Sequence, residues 1–162
     1  MNTRSLQGLY VDELRDAYSA ETQLLDVLPR MEKAASHQQL QSAFRQHREQ
    51  TQTHVRRLQQ ILDALGEKAR GETCRGMRGI IEEGASLLDG SDGVARDAAL
   101  IATAQRVEHY EMALYGTLRS FANQLGRKED ARLLGMTLEE EGTADHELTR
   151  IAHARVNRDA KA

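Results

Sequence analysis

GEKARGETCRGMRGIIEEGASLLDGSDG, residues 66–93, is the stretch on which the architecture of this chain turns. Seven of the twelve glycines fall in it, around a short apolar run of Met77, Ile80, Ile81, Leu87 and Leu88. Glycine at this density opposes one continuous helix. The apolar run fits a short helix over about 77–88 inside a connector of more than twenty residues. A link of that length can run the whole length of a helical bundle, whereas a simple up-down-up-down bundle needs only a short middle loop.

On either side the pattern is strongly helical. From Leu6 to about Ala34, apolar residues recur at intervals of three and four: Leu6, Leu9, Leu14, Ala17, Leu24, Leu28 and Met31. Pro29 is expected to kink this helix without ending it, because the stripe continues past it. Ser36 and Gln39 have the form of a capping box, which starts a second helix over 36–65. Gly66 supplies a left-handed stop. A third long helix spans about 94–125, capped by Ser91 or Asp92 and stopped by Gly126. A fourth begins at Lys128 or Glu129 and runs to about Asn157. Helices near thirty residues are roughly 45 Å long. The tight links at 35–36 and 126–128 make two antiparallel hairpins. Two hairpins joined by one long crossover give an all-α, ferritin-like four-helix bundle over residues 1–162, with a short fifth helix in the crossover.

Composition agrees with one helical domain. Alanine, leucine, glutamate, arginine and glutamine dominate, with one proline and no tryptophan. The formal net charge of −3 offers no case for nucleic acid or an anionic membrane surface. The short arms Met1–Gln7 and Val156–Ala162 are too weakly basic to change this. The lone cysteine, Cys74, excludes an intramolecular disulfide and a cysteine metal cage, fits a reducing compartment, and reads as incidental within the connector. With no signal-like segment and no apolar run of ~18 residues, a soluble cytoplasmic protein is expected.

Against this background, four acidic residues sit on apolar stripes. Glu21 lies midway between Leu14 and Leu28, Glu108 between Ile101 and Tyr115, Glu111 seven before Leu118, and Glu141 in the series Leu134, Leu138, Glu141, Asp145, Leu148. A buried carboxylate costs several kcal/mol without a positive partner, and convergent carboxylates also repel one another. Two metal cations are a natural counterweight. The halves of the chain repeat loosely: Ala20-Glu21 matches Val107-Glu108, and Leu40, Phe44, His47, Thr51 match Leu134, Leu138, Glu141, Asp145. Each half offers one carboxylate from its first helix and a polar pair spaced by four from its second, as in di-iron and di-manganese bundles. The Glu-x-x-His pair of those bundles is missing from both halves: Glu49 is followed by Thr51 and Gln52, and Glu141 by Ala144. Oxygen-rich donors with one histidine suit Fe or Mn better than Zn. The competing reading for each glutamate is a rim position paired with arginine. Glu49, near Arg45, Arg48, Arg56 and Arg57, fits a solvated face better than a site. His54 is open between a ligand and a bundle residue with satisfied nitrogens. His37, His109, His146 and His153 read as surface residues; Tyr18 and Tyr115, within two turns of Glu21 and Glu108, have the reach to hydrogen-bond ligands or relay electrons, but read first as core tyrosines with satisfied hydroxyls.

The segments LYVDELRDAYSAETQLLDVLPRM, SAFRQHREQT, AQRVEHYEMALYGTLR and TLEEEGTADHEL resemble the YciE/YciF family of bacterial ferritin-like proteins, in order and spacing, from about Leu9 to Ala152. The Glu-His-Tyr-Glu string at 108–111 is the most specific piece. The resemblance implies a rubrerythrin-related bundle with a dinuclear metal centre, a homodimer and a link to bacterial stress. Mapped here, it implies Glu21, His47, Glu108, Glu111, Glu141 and Asp145 as ligands, with His54 and Glu49 as further candidates. It also implies an acidic residue where Gln50 stands and a glutamine where His54 stands, so the second helix departs from the pattern. The function expected is an Fe or Mn carboxylate protein reacting with oxygen or peroxide, in an oxidase, peroxidase or metal-handling role. The alternative is a non-catalytic structural or partner-binding bundle. An iron-storing shell that coats DNA is disfavoured by the acidic balance and the lack of a lysine-rich arm.

Overall fold

Asp97 accepts the backbone N–H groups of both Ser36 (2.8 Å) and His37 (2.9 Å), tying the first turn of one helix to the hinge between two others. The computed structural model describes residues 5–161, without the side chains of Val94 and Arg155. Met1–Arg4 of the N-terminal arm and Ala162 lie outside the described residues. The elements are α1 (Leu6–Ala34), α2 (Gln38–Ala64), α3 (Arg75–Asp89), α4 (Gly93–Gln124) and α5 (Lys128–Ile151), followed by a π turn at Ala152–Val156 and a last turn at Asn157–Asp159. No strand occurs among the described residues, and no helix among them is long and apolar enough to cross a membrane.

Within the bundle α1 packs on α2 and α4 on α5, and the hairpins meet through α1–α4 and α2–α5. One apolar cluster joins the end of α1 (Leu24, Leu28, Met31) to the starts of α2 (Leu40, Phe44) and α4 (Leu100, Ile101) and the end of α5 (Leu148, Ile151). The other joins the start of α1 (Tyr10, Leu14) to the ends of α2 (Leu58, Ile61, Leu62) and α4 (Leu118, Ala122) and the start of α5 (Leu133, Leu134). All four neighbouring pairs are therefore antiparallel, and the crossover carries the chain from one end of the bundle to the other. This is the ferritin-like four-helix arrangement.

The two stops act as expected. Gly66 and Gly126 adopt φ of 71° and 72°, and each closes its helix with a pair of backbone bonds, Glu67 to Leu62 and Gly66 to Asp63, then Arg127 to Ala122 and Gly126 to Asn123. The capping box at Ser36 does not form. Helix α2 begins at Gln38 with His37 as its cap residue and no side-chain cap bond. An ionised carboxylate is a stronger acceptor than a serine hydroxyl, so Asp97 takes over the hinge donors. The short helix is longer than expected at both ends, and α5 passes into a π turn that keeps Ala152 and Val156 in the core.

Cys74 is not incidental. It is fully buried at the cap of α3, where Met77 N–H donates to its sulfur (3.4 Å) and Tyr110 Oη lies 3.1 Å away. Its N–H donates to Ser19 Oγ (2.9 Å), and Gln23 Nε2 donates to its carbonyl (3.2 Å). These bonds fasten the crossover to α1 and α4. Glycine then lets α3 lie close: a Cβ on Gly84 would stand 2.3 Å from Thr103 Cγ2.

Candidate metal centre

Between the two apolar clusters lies a polar layer supplied by all four long helices. α1 brings Glu21, α2 brings His47, Thr51 and His54, α4 brings Glu108 and Glu111, and α5 brings Glu141; each is buried, and Glu111, Glu141 and His54 are 0% exposed. The heptad spacing of Glu21, Glu108 and Glu111 with leucine, isoleucine and tyrosine puts them on the core face of their helices. His47, Thr51 and His54 fall on one face of α2 for the same reason.

The side chains form two groups that share Glu141. Donor atoms of His47, Glu108, Glu111 and Glu141 lie within 4.8 Å of one another, as do those of Glu21, His54 and Glu141. His47 Nε2 is 3.3 Å from Glu108 Oε1, and its Nδ1 is 3.9 Å from Glu141 Oε2. On the other side His54 Nδ1 is 2.9 Å from Glu141 Oε1 and 3.3 Å from Glu21 Oε1. The two oxygens of Glu141 thus approach different partners, Oε2 toward His47 and Oε1 toward His54.

Outer contacts orient this set. His54 Nε2 lies 2.9 Å from Glu140 Oε2, and Arg57 holds that carboxylate through Nη1 (2.5 Å) and Nη2 (3.0 Å). Arg57 Nη1 also donates to Thr137 Oγ1 (3.0 Å). With one ring nitrogen held by Glu140, His54 presents the other to Glu21 and Glu141. Tyr115 donates its hydroxyl hydrogen to Glu21 Oε1.

Electrostatically the layer is under-compensated. Burial, then the charge of Glu141, holds Glu108 well above the usual carboxylate range. Burial, then the charges of Glu21, Glu141 and Glu108, does the same to Glu111. Burial opposes the charged form of His54, but its hydrogen bonds and attraction to Glu141 and Glu21 outweigh that and push it up to about 11. Burial pushes Glu141 up as well, and the His54 hydrogen bond with the charges of His47 and His54 carries it below its usual range. Burial holds the His47 ring down. One imidazolium therefore serves four carboxylates. Both oxygens of Glu111, Glu21 Oε2, Glu108 Oε2 and both nitrogens of His47 are buried without a hydrogen-bond partner. Buried polar atoms in native proteins are normally satisfied. Four carboxylates and two imidazoles, with no thiolate, are an oxygen-and-nitrogen donor set of the kind that can hold metal ions, and the unsatisfied atoms face one another.

Of the residues singled out from the sequence, the structure gathers Glu21, His47, Glu108, Glu111, Glu141 and His54. It leaves out two. Asp145, one turn beyond Glu141, turns to the edge of α4, where Gln105 Nε2 donates to it (3.2 Å) and His109 Nε2 lies 3.3 Å away. Glu49, two residues past His47, is rotated onto the solvent face. His109 and His146 are exposed as expected. Tyr115 hydrogen-bonds a candidate ligand, Glu21, one of the roles open to it from the sequence, whereas Glu140 and Arg57 have no such sequence expectation. Their trace in the sequence is thin: Arg57 follows His54 by three, and Glu140 stands within a run of three acidic residues.

The family described as a domain of unknown function, DUF892, matches residues 5–161. Protein YciF of Escherichia coli (strain K12) is 40% identical over 163 residues, covering 99% of this chain and 98% of that protein. The crystal structure of the E. coli stress protein YciF matches with a TM-score of 0.90 and 40% identity, over 96% of this chain and 99% of that one. YcfI from Rhodopseudomonas palustris matches with a TM-score of 0.88 and 37% identity, over 91% of this chain and 95% of that one. A protein from Xanthomonas campestris pv. campestris shares the fold at 20% identity, with a TM-score of 0.77 and 97% of each chain covered. The chain is similar to YciF over nearly its whole length, and the match over residues 5–161 shows that it belongs to the DUF892 family.

Proposed function

We propose that this chain is a dinuclear metal-carboxylate protein, holding two Fe or Mn ions in its mid-bundle layer and reacting with oxygen or peroxide. The observation that carries this reading is the set of buried atoms without hydrogen-bond partners on Glu21, His47, Glu108 and Glu111, which face one another and Glu141 inside the bundle. One position would take His47, Glu108, Glu111 and Glu141, the other Glu21, His54 and Glu141, with Glu141 common to both. Two divalent cations carry four positive charges, which offsets the four carboxylates once His54 gives up its proton to bind. Bound in this way, such ions supply an open coordination position and reversible one-electron chemistry. The protein's own part is to orient and insulate. Arg57 and Glu140 hold the His54 ring, Tyr115 fixes Glu21, and the apolar clusters above and below exclude water.

The E. coli relative is called a stress protein, and we extend that setting to this chain as a cytoplasmic homodimer in an oxidase, peroxidase or metal-handling role. Elemental analysis of natively purified protein is expected to find Fe or Mn near two per chain, and Glu111→Gln is expected to lower it. Protein that arrives metal-free and takes up neither Fe(II) nor Mn(II) under anaerobic titration overturns the reading. A non-catalytic bundle is the second reading, and one observation favours it: His54 as imidazolium already bridges Glu21, Glu141 and Glu140 without a metal. It leaves Glu111 uncompensated. It predicts that metal neither binds nor raises the melting temperature.

A further inference from the structure

Beside the polar layer, between α1, α2, α4 and α5, lies a cavity of about 300 Å³. Its walls are Leu24, Leu28, Met31, Phe44, Val107 and Leu148, and it reaches His47 and Glu108. Gln46 and Thr143 at its rim are exposed, so the space opens to solvent between the helices and runs inward as far as the polar layer. The void far exceeds what dioxygen or peroxide needs. A cavity of about half the volume accommodates benzene, so this one suits an organic molecule of roughly ten heavy atoms. The size also falls at the low end of the usual range for ligand pockets, which are mostly apolar with a few convergent polar groups.

The polar atoms at the inner end are specific. His47 is 6% exposed and Glu108 2%, and both His47 nitrogens and Glu108 Oε2 lack hydrogen-bond partners. At the mouth stand Gln46, Gln50, Thr143 and Glu147, the last held by Arg150 Nε at 2.8 Å. The lining contains two carboxylates and neither lysine nor arginine. In the metal-free protein an anionic head group finds no lysine or arginine in the lining, and the cation at the mouth, Arg150, is already engaged by Glu147. An uncharged molecule meets apolar walls along its length and hydrogen-bonding groups at each end.

We propose that this cavity binds a neutral, largely apolar organic molecule of about ten heavy atoms and presents it to the His47–Glu108 side of the metal centre. The inference rests on the metal reading for what happens to the molecule, and on the cavity alone for binding. The probes are 1-octanol and its anionic counterpart octanoate, compared on metal-free protein, with octanol alone repeated on metal-loaded protein. Met31 is the methionine in the cavity wall, so its methyl group, labelled with carbon-13, reports binding by NMR. Octanol is expected to shift the Met31 signal saturably, leave that of Met77 in place and raise the melting temperature, while octanoate does none of these. Ala144→Phe and, separately, Ala43→Phe fill the cavity from residues that are only half-buried, and each is expected to weaken octanol binding at least tenfold with metal uptake unchanged. No Met31 shift with octanol, an equal response to octanoate, or unaltered octanol affinity in both folded variants overturns the proposal. The Met31 measurement on the natural chain stands even if neither variant folds. Octanol binding intact in a protein that takes up no metal supports the cavity and overturns the metal centre instead.

Discussion

Glu111→Gln separates the two readings of the polar layer in one substitution. Glu111 is 0% exposed, and neither carboxylate oxygen has a partner. Glutamine keeps the shape and removes the ionisable proton. In metal-free protein this relieves the cost of a fourth acid in a site that has one imidazolium. Replacing a badly compensated buried charge by a neutral group is worth about 1–3 kcal/mol. For a chain of this size that is a rise in melting temperature of roughly 2–10 °C. The sign with pH follows from linkage. The Glu111 carboxyl is raised by burial and its acidic neighbours, so the folded state favours the protonated form. Its stabilising contribution is complete below the unfolded-state pKa and is lost as pH rises through the folded-state value. The advantage of the glutamine variant should therefore be small near pH 5 and grow as pH rises. With metal present the order reverses, because saturating ligand stabilises by RT ln(1 + [L]/Kd), about 4 kcal/mol at a thousandfold excess over Kd, and the variant lacks a ligand. Differential scanning calorimetry with chelator and with Mn(II), across pH 5–8, measures both. A variant less stable than the natural chain in chelator, with an unchanged response to metal, would refute the reasoning.

Other perturbations test the supporting structure. Arg57→Met and Glu140→Gln, which release the His54 ring, are expected to weaken metal affinity ten- to a hundredfold by anaerobic titration, while Glu49→Gln leaves it unchanged. Asp97→Ala removes the acceptor for Ser36 and His37 and should cost about 1–3 kcal/mol in urea unfolding. Gly84→Ala, which drives a Cβ into Thr103, should cost about 1–3 kcal/mol. Gly79→Ala on the same helix meets nothing within 4 Å and should stabilise by roughly 0.5–1 kcal/mol.

Particular residues show how far sequence reading reached. The left-handed glycines at 66 and 126 and the length of the connector were enough to derive the hairpins and the crossover, since both follow from local backbone chemistry. The N-terminus of α2 was misassigned because its donors are met by Asp97, sixty residues away, which local pattern cannot reveal. Cys74 was underestimated for the same reason: its partners Ser19 and Tyr110 lie on other helices. At the site, apolar spacing singled out Glu21, Glu108, Glu111 and Glu141 for the core. It put Asp145 ahead of His54, whereas the structure gathers His54 and leaves Asp145 outside.

Periodicity along a helix fixes which face each residue occupies, and a carboxylate on an apolar face is a question the sequence raises by itself. The sequence thus determined the all-α architecture, its two hairpins and the burial of four acids. Height and rotation of one helix against another are set by side-chain packing across the interface, and only the tertiary structure decided those. They bring His54 under Glu141 and Glu21, turn Asp145 toward Gln105 and His109, aim the two oxygens of Glu141 at different neighbours, and leave a cavity beside His47.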